Sequence, residues 1–78
     1  MRLPRDVSAN RLIRALTTLG YQMVRQQGSH IRLRSAGPPS HSVTVPNHDP
    51  LKTGTLHGIL SEVAKAKSMA LNSLAALL

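Results

Sequence analysis

The chain has 78 residues, carries ten Lys and Arg against three acids for a formal charge of +7, and contains no Cys, Trp or Phe. That length holds one small domain, taken as residues 1–78, around a thin aliphatic core, and it excludes a disulfide framework and a thiolate metal site. No apolar run approaches the roughly 20 residues of a membrane span and Met1–Asp6 lacks the apolar stretch of a secretory signal, so the expected setting is the cytoplasm, with a polyanion or an acidic protein as partner.

Ser8 reads as an N-cap. Leu12, Leu16 and Leu19 recur at helical spacing, with Arg11 and Arg14 on the opposite face. Gly20 is the stop, so a helix is predicted over Ala9–Leu19. Tyr21–Gln26 reads as a strand. Met23-Val24 breaks its alternation, so the spacing does not decide which of its side chains face inward. Gln27-Gly28-Ser29 turns the chain, and His30–Arg34 alternates polar and apolar as a second strand. Ala36–Ser40, with Pro38 and Pro39, is a loop. Ser42–Val45 is a third strand that Pro46 ends. After a polar loop over Asn47–Leu51, a second helix begins near Thr53 and buries Leu56, Ile59, Leu60 and Val63. Ser68 reads as the cap of a short last helix with Leu71, Leu74 and Leu78 on one side.

These elements give an α+β fold: α-β-β-β-α with a short C-terminal helix, and a three-stranded antiparallel sheet with the helices on one face. Ile31, Leu33, Val43 and Val45 should be covered. His30, Arg32, Arg34, Ser42 and Thr44 then lie on the open face, because successive strand side chains point to opposite sides.

An imidazole exchanges protons near neutral pH, and two guanidinium groups on the same face could bind a phosphodiester. RNA cleavage does not require a metal when a base can take the proton of the 2′-hydroxyl and cations hold the phosphate oxygens. The plainer reading of His30 is an idle surface histidine. His30, His41, His48 and His57 show no metal-ligand spacing, and no metal or other cofactor is expected. His48-Asp49 is either a second acid–base or phosphate-contacting pair or, more plainly, a solvated loop. His57 reads as partly covered and structural, and nothing marks out His41. Lys52 precedes the start of the second helix, where free N–H groups favour anions. Tyr21 is the sole aromatic residue, so no platform for stacking bases is available.

Arg25, Gly28-Ser29-His30, Val43-Thr44-Val45-Pro46, His48, Leu51, Gly54-Thr55-Leu56 and Ile59-Leu60 occur in an order that resembles the HicA (YcfA-like) toxins. Leu3–Ser8 and Leu19-Gly20-Tyr21 match as well, so the resemblance covers nearly the whole chain. It implies a double-stranded-RNA-binding-domain-like fold and an endoribonuclease acting on mRNA, an mRNA interferase. It also implies a catalytic histidine at His30 and neutralisation by a HicB-type antitoxin. Gly28, Ser29, Arg32, Arg34 and Lys52 are then the candidate substrate-binding residues around His30. The chain departs from the family pattern at Thr53, where proline is common, in the long Pro38-Pro39 loop, and over Lys65–Ala70, where glycine and acids are usual. Two other readings share the same basic fold: a non-catalytic module that holds double-stranded RNA by its shape and phosphates, and a structural partner for an acidic protein.

Overall fold

A computed structural model describes residues 5–37 and 40–78. The element order is α1 (Ala9–Thr18), β1 (Tyr21–Gln27), β2 (His30–Ser35), β3 (His41–Pro46), α2 (Thr53–Ala66) and α3 (Leu71–Ala75). The strands form one antiparallel sheet in the order β1-β2-β3. This is the α-β-β-β-α order expected, with α3 as the short last helix. Pro38-Pro39, at the centre of the predicted loop, and Met1–Pro4 lie outside the described residues.

The buried residues form one cluster. α1 contributes Ala9, Leu12 and Leu16, α2 contributes Leu56, Ile59, Leu60, Val63 and Ala64, and the sheet contributes Tyr21, Ile31, Leu33, Val43 and Val45. Leu74 of α3 closes it, with Leu71 and Leu78 packed partly buried against it. Along β2, exposed and buried residues alternate strictly, which is the signature of a sheet covered on one side only. Ser8 caps α1 by accepting from the Arg11 amide at 3.1 Å, satisfying one of the free donors of the first turn.

Several boundaries differ from the sequence reading, each for a local reason. β1 runs one residue further, to Gln27, because Gln27 pairs with His30 across a two-residue turn. Gly28 has φ 58° there and Ser29 has no positive φ, the pattern of a type II′ hairpin with glycine first. β3 begins at His41 and includes Pro46, which pairs with His30 at the sheet margin, where the missing N–H costs no ladder bond. Ser68 does not cap α3. It has φ 53° and follows the C-cap of α2, where the Met69 amide donates to the Ala64 carbonyl at 2.9 Å. That six-to-one bond is the Schellman closure of α2, and α3 starts from Ala70 without a side-chain cap.

β1 contains a bulge. Met23 pairs with Leu33 and Arg25 with Arg32, leaving Val24 as an extra residue. Tyr21 must face the core, opposite buried Ser35, whereas Gln27 must face outward, opposite exposed His30. Residues an even number of positions apart face the same way in a regular strand. The extra residue reconciles the two ends, and it is the reason alternation fails at Met23-Val24.

At the far end of the sheet from the hairpin, a polar network joins all three strands to α2. The Tyr21 hydroxyl lies 2.6 Å from His41 Nδ1, and His41 Nε2 lies 3.3 Å from Glu62 Oε1. Lys67 Nζ donates to Ser35 Oγ and sits 5.2 Å from the centre of the Tyr21 ring. Burial first, and the Glu62 carboxylate second, push the Tyr21 phenol above its ordinary value of 10.0.

Tyr21→Phe should therefore leave the fold intact and cost about 1 kcal/mol in urea unfolding, the net worth of one buried hydrogen bond. The raised value means that the folded state holds the phenolic proton more tightly than the unfolded chain does. The contribution of this group to stability is fully present below pH 10.0 and is lost as pH rises through the folded value. That component of the alkaline decline should be missing in the variant.

Candidate nucleic-acid interface

The hairpin fixes which side chains share the uncovered face. His30 stands opposite Gln27, and Arg32 stands opposite Arg25 on one side and Thr44 on the other. Arg25, Gln27, His30, Arg32 and Thr44 line one shallow cavity. All five are exposed. Side chains directly opposite on antiparallel strands have Cβ atoms about 5 Å apart, and those two residues apart along a strand are separated by roughly 7 Å. Both guanidinium groups thus come within reach of an anion lying across His30.

Arg25 Nη2 donates to Gln27 Oε1 at 3.1 Å, and Arg32 Nη1 donates to Thr44 Oγ1 at 3.2 Å. These partners orient the guanidinium groups without neutralising them. Among the described residues, the ion pair within 4 Å is that of His41 with Glu62, at the other end of the sheet. Two arginines directly opposite each other on neighbouring strands repel. The chain accepts that cost on the one face where no helix intervenes.

The sequence-predicted residues do not all converge. His30 and Arg32 share the cavity. Gly28 and Ser29 form the adjoining turn, which is tied down by the Asn47 amide donating to the Ser29 carbonyl at 2.6 Å. Arg34 lies further along the same face in a separate depression with Gly20, Gln22, Val24 and Ala36, and its Nε donates to Ser40 Oγ at 3.2 Å. Lys52 is the exposed N-cap residue of α2 and lines neither depression. His48 is exposed in the loop after β3, where its carbonyl accepts from the Ala9 amide at 3.0 Å, and it is not among the cavity residues. His57 is half-buried in α2. His41, which nothing in the sequence distinguished, is the centre of the polar network.

Thr44 lines the cavity from the open face, where its alternation predicts it, whereas Arg25 and Gln27 are the cavity residues that local sequence patterns did not bring to this site. A signal for these two exists. Counting backward from His30 across a two-residue turn puts Gln27 opposite His30. The same count carries Arg25 to the face of Arg32. Counting forward from Tyr21 gives the wrong side, because the bulge intervenes.

Among the described residues, no group of three histidine or acidic side chains is placed to hold a metal ion, and no helix is long and apolar enough to cross a membrane. The fold and this face together define a small helix-backed sheet whose uncovered side carries a histidine among unpaired arginines. Residues 9–65 match the family described as "HicA toxin of bacterial toxin-antitoxin". That stretch is well over half of the chain, and the chain belongs to this toxin family, of which an antitoxin partner is the counterpart. Comparison with curated proteins and with solved structures finds nothing similar.

Repulsion between Arg25 and Arg32 makes a stability prediction. Arg25→Gln should raise the folding stability of the ligand-free protein by about 0.5 kcal/mol at low salt, by removing a like-charged cross-strand pair. The gain should shrink in high salt, where the repulsion is already screened. Urea unfolding at two ionic strengths measures both effects.

Proposed function

We propose that this toxin is an endoribonuclease that cleaves mRNA in the cytoplasm and is neutralised by a HicB-type antitoxin. The observation that carries the reading is the cross-strand pair Arg25–Arg32 beside exposed His30, a cationic clamp with no carboxylate partner among the described residues. A phosphodiester supplies the missing negative charge and brings its neighbouring ribose to the imidazole.

His30 takes the proton of the 2′-hydroxyl as its oxygen attacks the adjacent phosphorus. The bond from phosphorus to the 5′-oxygen of the next nucleotide breaks, and that oxygen receives a proton from the imidazolium or from water. The products are a 2′,3′-cyclic phosphate and a free 5′-hydroxyl. Arg25 and Arg32 hold the non-bridging oxygens as charge develops on them. Gly28 and Ser29 shape the approach at the turn. Arg34 and Lys52 lie outside the cavity and serve as contacts for more distant phosphates. No step requires a metal ion, because the attacking group lies within the substrate and the cations belong to the protein.

Purified protein, incubated with a defined single-stranded RNA in EDTA, should give new fragments ending in cyclic phosphate. His30→Ala, at an exposed position, should fold normally and give none. Fragments at the parent rate from that variant would refute the role of His30. Intact RNA with a folded parent protein would favour the non-catalytic RNA-binding module. Arg25→Gln should weaken RNA binding and reduce the dependence of log affinity on log salt by about one phosphate contact.

A further inference from the structure

The outer edge of β1 has no part in the chemistry above. One side of β1 pairs with β2, and the other has no strand partner among the described residues. Six of its seven residues are exposed, with Tyr21 the exception. Met23 is 59% exposed and Val24 57%, and among the described residues Leu77, at 42%, is the other large apolar side chain left in solvent. Opposite Leu33, Met23 faces the helix side of the sheet, beyond the cover of the helices. Val24 shares the depression of Arg34 on the uncovered side. Two adjacent apolar side chains therefore bracket the free edge, one on each side of the sheet.

An extended segment laid along such an edge meets both, because its own side chains alternate between the same two sides. RNA gains little from aliphatic side chains, since bases stack on aromatic rings, and the one aromatic residue, Tyr21, is buried. A second copy of this chain brings a further charge of +7 and is repelled. Arg25 and Arg34 flank Val24 on the uncovered face, and the chain offers only three acids of its own. The complement is a protein segment with both carboxylates and apolar side chains.

We propose that the free edge of β1 is the docking surface for the antitoxin. An extended acidic segment of that protein adds beside β1, with apolar side chains on Met23 and Val24 and carboxylates on Arg25 and Arg34. The proposal rests on the toxin–antitoxin reading and carries it from a partner to a surface. A segment held there covers Arg25, one wall of the His30 cavity, so it blocks the site without touching His30. The bulge adds selectivity. A regular free edge pairs with any exposed strand, whereas the extra residue at Val24 interrupts the ladder and admits only a segment that accommodates it.

The test uses the full chain, the antitoxin encoded beside it, and the double variant Met23→Ser/Val24→Ser, which changes no charge and no residue of the His30 cavity. The variant should bind the antitoxin at least tenfold more weakly while cleaving RNA at the parent rate. In the parent complex, the amides of residues 22–26 should exchange with solvent more slowly than in the free toxin. Parent affinity in the variant, exchange in β1 unchanged by the antitoxin, or no binding of the antitoxin to the parent would each overturn the proposal. The exchange measurement uses the parent protein with and without the antitoxin and needs no variant, so it decides the matter even if the variant does not fold. The His30→Ala cleavage assay uses no antitoxin, so failure of the nuclease reading and failure of this docking surface are separately visible.

Discussion

The phase of β1 is the constraint on which the site depends. Tyr21 is held in the core at one end, and the two-residue turn holds Gln27 opposite His30 at the other. A strict period of two cannot satisfy both over that length. The extra residue at Val24 absorbs the conflict, and its consequence is chemical. It brings Val24 and Arg25 to the uncovered face in succession, so a cation stands opposite Arg32 and an apolar group stands at the edge. Without that irregularity, Arg25 would face the helix side opposite Ile31, and the clamp around His30 would lose one jaw.

Two histidines at opposite ends of the β2–β3 ladder show how environment assigns roles to one residue type. His41 pairs with Ser35 in the ladder, and its ring nitrogens meet Tyr21 and Glu62. Both nitrogens are engaged, which fits a structural tie between the sheet and α2. His30 pairs with Pro46 at the other end and has no side-chain hydrogen bond to a described residue. Its nitrogens are left for the proposed substrate. Among the described residues, the contact of a carboxylate with a basic side chain thus lies far from the cationic face, between His41 and Glu62, and the residues lining the His30 cavity include no acid.

The parts of this arrangement that were legible in the sequence are those governed by short periods. Leu12 and Leu16 on α1, and Ile31, Leu33, Val43 and Val45 in the sheet, face the core as their spacing dictates. The one-sided sheet then follows, and with it the exposure of His30 and Arg32. What spacing did not give depended on contacts distant in sequence. Arg25 reaches the site through a bulge that exists because Tyr21 and Gln27 have separate obligations. His41 looks like a residue of the proline-containing loop until Tyr21, twenty positions earlier, and Glu62 on α2 are placed beside it. Ser68 has the composition of a helix start, yet its left-handed backbone closes the preceding helix.

Charge on the uncovered face links stability to partnership. Arg25 and Arg32 repel across the ladder, and Thr44 and Gln27 orient them without removing the charge. A sheet face whose only task was stability would place a carboxylate in one of those positions, as cross-strand pairing favours. Any anion that settles there relieves the repulsion and therefore binds the folded chain better than the unfolded one, so it stabilises the fold by mass action. Phosphodiesters and carboxylates both satisfy this condition. They differ in what else they bring: a ribose hydroxyl that reaches His30, or apolar side chains that reach Met23 and Val24. In the proposed roles Arg25 is the cation common to both ligands, acting with Arg32 on the substrate and with Arg34 on the inhibitor, and what distinguishes the two is which end of β1 the rest of the ligand engages.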